Sequence, residues 1–79
     1  EFHEKLQELR KSRGLTQEEL AEALYVSRTA ISKWESGRGY PSIDSLKEIS
    51  SYFFVSIDDL LSGEQLIFIA EKENKSNSF

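Results

Sequence analysis

Cysteine is absent from this chain of 79 residues, so neither a disulfide framework nor a thiolate metal site can be built from it. The same absence favours the cell interior over a secreted, staple-dependent fold. Histidine occurs once, as His3 beside the N-terminus, which leaves no histidine cluster for metal binding or nucleophilic catalysis. No glycine-rich phosphate loop is present. Asp58 and Asp59 are adjacent carboxylates, but they stand at a helix start, where capping and dipole complementation account for them. No catalytic residue, cofactor or small-molecule substrate is therefore assigned. Long apolar runs are missing as well: the longest, Leu66 to Ala70, covers five residues, far short of the roughly 20 that cross a bilayer. The opening EFHEKLQELRK is charged and lacks the apolar stretch of a signal peptide. These absences together predict a cytoplasmic chain without a membrane segment.

Charge is unevenly distributed. The formal net charge of −4 argues against nonspecific nucleic-acid binding by the whole surface. Between Arg10 and Pro41, however, six basic residues face four acidic ones, whereas both flanks are net acidic. A basic patch on an acidic body is compatible with this pattern. At this length the chain suits one small domain of interlocked helices.

Apolar spacing places those helices. Phe2, Leu6 and Leu9 predict a first helix over about Phe2 to Ser12, ended by Gly14. Thr16 and Glu19 form a capping-box pattern ahead of a helix over Gln17 to Leu24, with Leu20 and Leu24 on one side and Ala21 keeping that face thin. Tyr25, Val26 and Ser27 interrupt the pattern. Ser27 can then cap a helix over Arg28 to Ser36 carrying Ile31 and Trp34, and Gly37 suits its stop. Two short helices joined so tightly read as a helix-turn-helix. Gly37, Gly39 and Pro41 punctuate a loop. Ile43, Leu46, Ile49 and Phe53 predict a fourth helix capped by Ser42. Ser56 and Asp59 predict a short fifth, ending near Gly63. The expected core is Leu6, Leu9, Leu20, Leu24, Val26, Ile31, Leu46, Ile49 and Leu60. Residues 1–63 form the predicted domain. Residues 64–79 read as a tail or linker, with a fraying end, a dimer contact through Leu66 to Ala70, and a connection to a further segment as the alternatives.

The segments LxxLRxxRGLTQEELAxxL (Leu6 to Leu24), VSRTAISKWESG, YPSIDSLKEIS and VSIDDLLSG resemble the Cro/C1-type, or XRE, helix-turn-helix regulators across about Phe2 to Ser62. The resemblance implies an all-α, compact five-helix bundle, a lambda-repressor-like DNA-binding domain. Its implied function is sequence-specific transcriptional regulation, repression in the first instance, by a homodimer on double-stranded DNA. The family pattern also implies a structural ion pair between Arg10 and Glu35. One departure is Tyr25, at a turn position the family often gives to glycine. A left-handed backbone is costly for a bulky residue, so a turn of different geometry stays open.

In a helix-turn-helix, the second helix enters the major groove while the first crosses the backbone. Arg28, Thr29, Ser32 and Lys33, opposite Ile31 and Trp34, are accordingly the candidate base readers. Arg28 suits a bidentate guanine contact and Thr29 a thymine methyl. Gln17, Ser27 and Arg38 are the phosphate candidates, with Ser27 also suited to a purely structural cap. Lys11 and Arg13 are expected to add long-range attraction. A plain solvated helix face is the competing account of the same polar residues. The rival functional class is an antitoxin or adaptor that uses the fold to hold a partner protein.

Overall fold

The computed structural model describes residues 1–61 together with residues 67, 69 and 71. Among these, α1 (Phe2–Ser12), α2 (Gln17–Leu24), α3 (Arg28–Glu35), α4 (Ile43–Phe53) and α5 (Ile57–Leu60) form an all-α bundle without strands.

Local chemistry sets each boundary. Thr16 Oγ1 accepts from the Glu19 N–H at 3.1 Å, and Glu19 Oε1 accepts from the Thr16 N–H at 2.8 Å, so the capping box of α2 is complete. Ser27, Ser42 and Ser56 each accept the backbone N–H three residues on, opening α3, α4 and α5. At Ser56 only this forward bond forms. Asp59 is one methylene shorter than the usual glutamate, and the return bond of a full capping box is not made.

Two helices end in left-handed backbone at aromatic residues. Tyr25 has φ 57° and ψ 41°, and Phe54 has φ 56° and ψ 44°. The turn after α2 thus keeps the geometry that glycine usually supplies, and the alternative left open by the sequence is not taken. What holds Tyr25 there is its backbone: its N–H reaches back into the last turn of α2, and the Val26 N–H donates to the Ala21 carbonyl at 3.0 Å. Phe54 is held similarly, with the Val55 N–H on the Ser50 carbonyl at 3.1 Å and Ser50 Oγ donating to the Val55 carbonyl. Their side chains gain little in exchange, being 93% and 88% exposed.

α2 packs on α3, α3 on α1, and α4 on α2 and α5. Leu6, Leu20, Leu24, Ile31, Leu46, Ile49 and Leu60 are buried as expected, while Leu9 and Val26 pack against them only partly buried. Phe2, Ala21, Trp34, Phe53 and Leu61 complete the bundle interior. Ala21, without a bulky side chain, permits the close approach of a neighbouring helix. Arg13, expected to add long-range attraction, lies against α4. Its guanidinium carbon is 5.7 Å from the Tyr52 ring centroid and 5.4 Å from that of Phe53, within cation–π range. In the predicted tail, Ile69 is 3% exposed and belongs to the core, whereas Ile67 is 60% exposed. Leu66, Phe68 and Ala70, the rest of the suggested dimer contact, lie outside the described residues.

Candidate nucleic-acid interface

α3 presents two chemically distinct sides. Ile31, Trp34 and Glu35 face inward, and Arg28, Thr29 and Lys33 are exposed, with Ser32 half-buried at the edge. Helical spacing places Arg28, Thr29 and Ser32 on one stretch of surface near the start of the helix. There they line a shallow concavity with Gln17 from the first turn of α2. A second concavity, adjoining through Gln17 and Arg28, is lined also by Arg10, Thr16 and Glu18. The turn between α2 and α3 therefore brings a helix N-terminus, a carboxamide, two hydroxyls and a guanidinium to one concave face.

The remaining candidates separate from this group. Lys33 lines neither concavity, and its stem runs beside Gly39, where an added Cβ would sit 3.2 Å from Lys33 Cδ. Arg38 is gathered at the C-terminal end of α3. Its N–H donates to the Lys33 carbonyl at 3.1 Å and its Nε to Ser36 Oγ at 3.0 Å. Ser27 Oγ accepts from the Ala30 N–H at 3.1 Å, so its cap role is occupied while its hydroxyl proton stays available to donate.

Beneath the concave face lies a charged network. Arg10 Nε donates to Glu35 Oε2 at 2.7 Å and Arg10 Nη2 to Glu35 Oε1 at 3.0 Å, a bidentate pair with the Glu35 side chain 2% exposed. Arg10 Nη1 also donates to the Leu15 carbonyl at 2.8 Å, tying α1 to the segment that leads into α2. Gln17 Nε2 completes the group by donating to Glu35 Oε1 at 3.2 Å. Gln17, a phosphate candidate by position, is thus anchored to the interior of the protein. Sequence spacing gave no signal for that bond, because its partners are 18 residues apart on different helices. Glu18 was likewise not a candidate, yet it contributes an anionic wall to the concavity that holds Arg28.

Comparison with known proteins agrees with this architecture. The family model HTH_3, helix-turn-helix, matches residues 6–60. The HTH-type transcriptional activator BcrR of Enterococcus faecalis is 70% identical over 77 residues, which cover 98% of this chain and 38% of that protein. The crystal structure of a transcriptional regulator from Listeria innocua superposes with a TM-score of 0.72 at 30% identity, covering 94% of this chain and 76% of that one. A structure of the SinR protein/SinI protein complex gives a TM-score of 0.72 at 27% identity, over 96% of this chain and 75% of that one. With the helix-turn-helix pattern extending over more than half its length, the chain belongs to the helix-turn-helix family, of the Cro/C1 or XRE type.

Proposed function

We propose that this chain is the sequence-specific, double-stranded-DNA-binding part of a cytoplasmic transcriptional regulator and acts as a homodimer. The observation that carries the reading is the concave face shared by the start of α2 and the first turns of α3, where Gln17, Arg28, Thr29 and Ser32 converge. In this arrangement α3 enters the major groove. Arg28, Thr29 and Ser32 meet base edges, and Lys33 reaches a base or phosphate beyond them. Gln17, Ser27 and Arg38 contact phosphates, which fix register without reading sequence. Two symmetric copies then select half-sites about 10 bp apart, one helical turn between centres.

Selection of bound duplexes from a random pool, followed by fluorescence anisotropy on the recovered site, tests the reading. Joint replacement of Arg28, Thr29, Ser32 and Lys33 by alanine is expected to abolish site preference. Unchanged binding would reject it. On the direction of regulation, the sequence pattern leads to repression, while the relative from Enterococcus faecalis is named an activator. Both use the same interface, since direction depends on where the bound protein sits relative to the promoter. A reporter with the site moved across the promoter distinguishes them. A second reading, a module that holds a partner protein, draws support from the likeness to SinR in its complex with SinI. Retention of a partner by the quadruple variant, together with failure of the wild-type chain to select DNA, would favour it.

A further inference from the structure

Gln17 stands between the buried ion pair and the concave face. A carboxylate only accepts hydrogen bonds, so its contact with Glu35 fixes which way the Gln17 carboxamide is turned. Nε2 faces inward to Glu35 Oε1, and one N–H and the carbonyl oxygen are left to serve the surface. Glu35 is itself held, with both oxygens engaged by the Arg10 fork at 2.7 and 3.0 Å and Arg10 tied further to the Leu15 carbonyl. A free glutamine has a costly freedom to lose on binding DNA, because long flexible side chains lose much rotamer entropy when ordered. Here much of that ordering precedes the encounter. Gln17 is also the residue that the two adjoining concavities share with Arg28.

We propose that Arg10 and Glu35 are positioning residues of the DNA interface, acting through Gln17. The interior pair holds the carboxamide ready to donate its remaining N–H to a phosphate oxygen. The proposal rests on the DNA-binding reading above and adds to it a dependence of surface affinity on a buried pair. Removing the anchor while keeping the fold leaves Gln17 in place but disordered.

The test is a mutant cycle read by anisotropy on a labelled duplex recovered from the random pool. Arg10→Met combined with Glu35→Leu replaces the pair by apolar groups, a change that buried ion pairs often tolerate without loss of stability. This variant is expected to unfold cooperatively, as the wild type does, yet bind about three- to tenfold more weakly, the cost of one unanchored flexible side chain. In a Gln17→Ala background the same pair of substitutions should cause no further loss. An equal loss in both backgrounds, or none in either, overturns the proposal, since a merely structural pair would act regardless of Gln17. Arg28→Ala and Thr29→Ala separate the two levels. If they weaken selective binding while the cycle is additive, only the positioning role fails; if they have no effect, the DNA reading fails and takes the proposal with it. Should the double variant not fold, side-chain relaxation of the wild-type Gln17 amide decides. Restricted motion before DNA is added supports the anchor, and motion as free as that of an exposed glutamine refutes it.

Discussion

At Tyr25 and Phe54 the usual ranking of alanine over glycine should reverse. Both residues cap helices with φ of 57° and 56°, where an L side chain brings Cβ toward the carbonyl oxygen at a cost of about 1–2 kcal/mol. Tyr25 recovers little of that through packing. With 93% of its surface exposed, only the remaining 7% contributes, about 0.4 kcal/mol for an aromatic of ordinary size at 25 cal/mol per Å². Tyr25→Ala should therefore lose no more than about 0.4 kcal/mol, because it removes the ring and keeps the strain. Tyr25→Gly also removes the strain, set against the greater freedom of glycine in the unfolded chain, about 0.4–1 kcal/mol. Glycine should thus exceed alanine by about 0.5–1 kcal/mol at Tyr25, and similarly at Phe54. At exposed Lys47, inside α4, glycine should instead fall about 1 kcal/mol below alanine. Urea unfolding followed by far-ultraviolet circular dichroism measures all six variants, with constant m-values confirming that only stability has changed. Alanine equal to or better than glycine at Tyr25 would refute the reasoning and imply a turn without left-handed backbone.

Other substitutions probe the interior and the concave face. Glu35→Ala alone should cost about 3 kcal/mol or more by stranding the Arg10 guanidinium, as seen in the urea midpoint; a loss below about 1 kcal/mol would mean the pair is hydrated. Ile69→Ala should cost about 2 kcal/mol or more, and Ile67→Ala about 0.5 kcal/mol or less, so equal effects would contradict the burial of Ile69. Arg28→Ala should lose about 1–3 kcal/mol on the preferred duplex and relax selectivity at one base pair, measured by anisotropy against a panel of single-base changes. Affinity should fall with salt on a shallow slope, and a steep slope would show more phosphate neutralisation than this face provides.

The fold was legible where a boundary has its own local chemistry. Thr16 with Glu19, Ser27, Ser42 and Ser56 announce helix starts because the cap and the N–H it satisfies are three residues apart in the chain. Periodic leucines and isoleucines announced the inward faces for the same reason. Features that depend on two distant segments were less accessible. Left-handed geometry at Tyr25 and Phe54 ran against residue preference, and the backbone hydrogen bonds that close each helix prevailed. Ile69 sits in a short apolar run, and nothing in that run distinguished a core residue from an exposed one such as Ile67.

Of the residues singled out in the sequence, Gln17, Arg28, Thr29 and Ser32 come together on one concave face, whereas Lys33 and Arg38 lie apart from it. Counting charge along the chain suggested a basic patch from Arg10 to Pro41. In three dimensions one of those six basic residues, Arg10, is paired with Glu35, while Arg13 keeps its charge beside the rings of Tyr52 and Phe53. The concavity formed with α2 is lined by the carboxylate of Glu18 as well as by Arg28. Pairing Arg10 with Glu35 cancels one charge of each sign, so the excess of basic over acidic residues in that stretch stays at two, a small positive charge for the face that meets DNA in the proposed function. Attraction at long range is weak there, so short-range donors must carry more of the recognition: the Gln17 amide, the Thr29 and Ser32 hydroxyls and the Ser27 hydroxyl. Such donors contribute only when correctly placed, unlike a diffuse positive field, which acts at a distance whatever its detailed geometry. That requirement gives a physical reason for fastening Gln17 to a buried carboxylate.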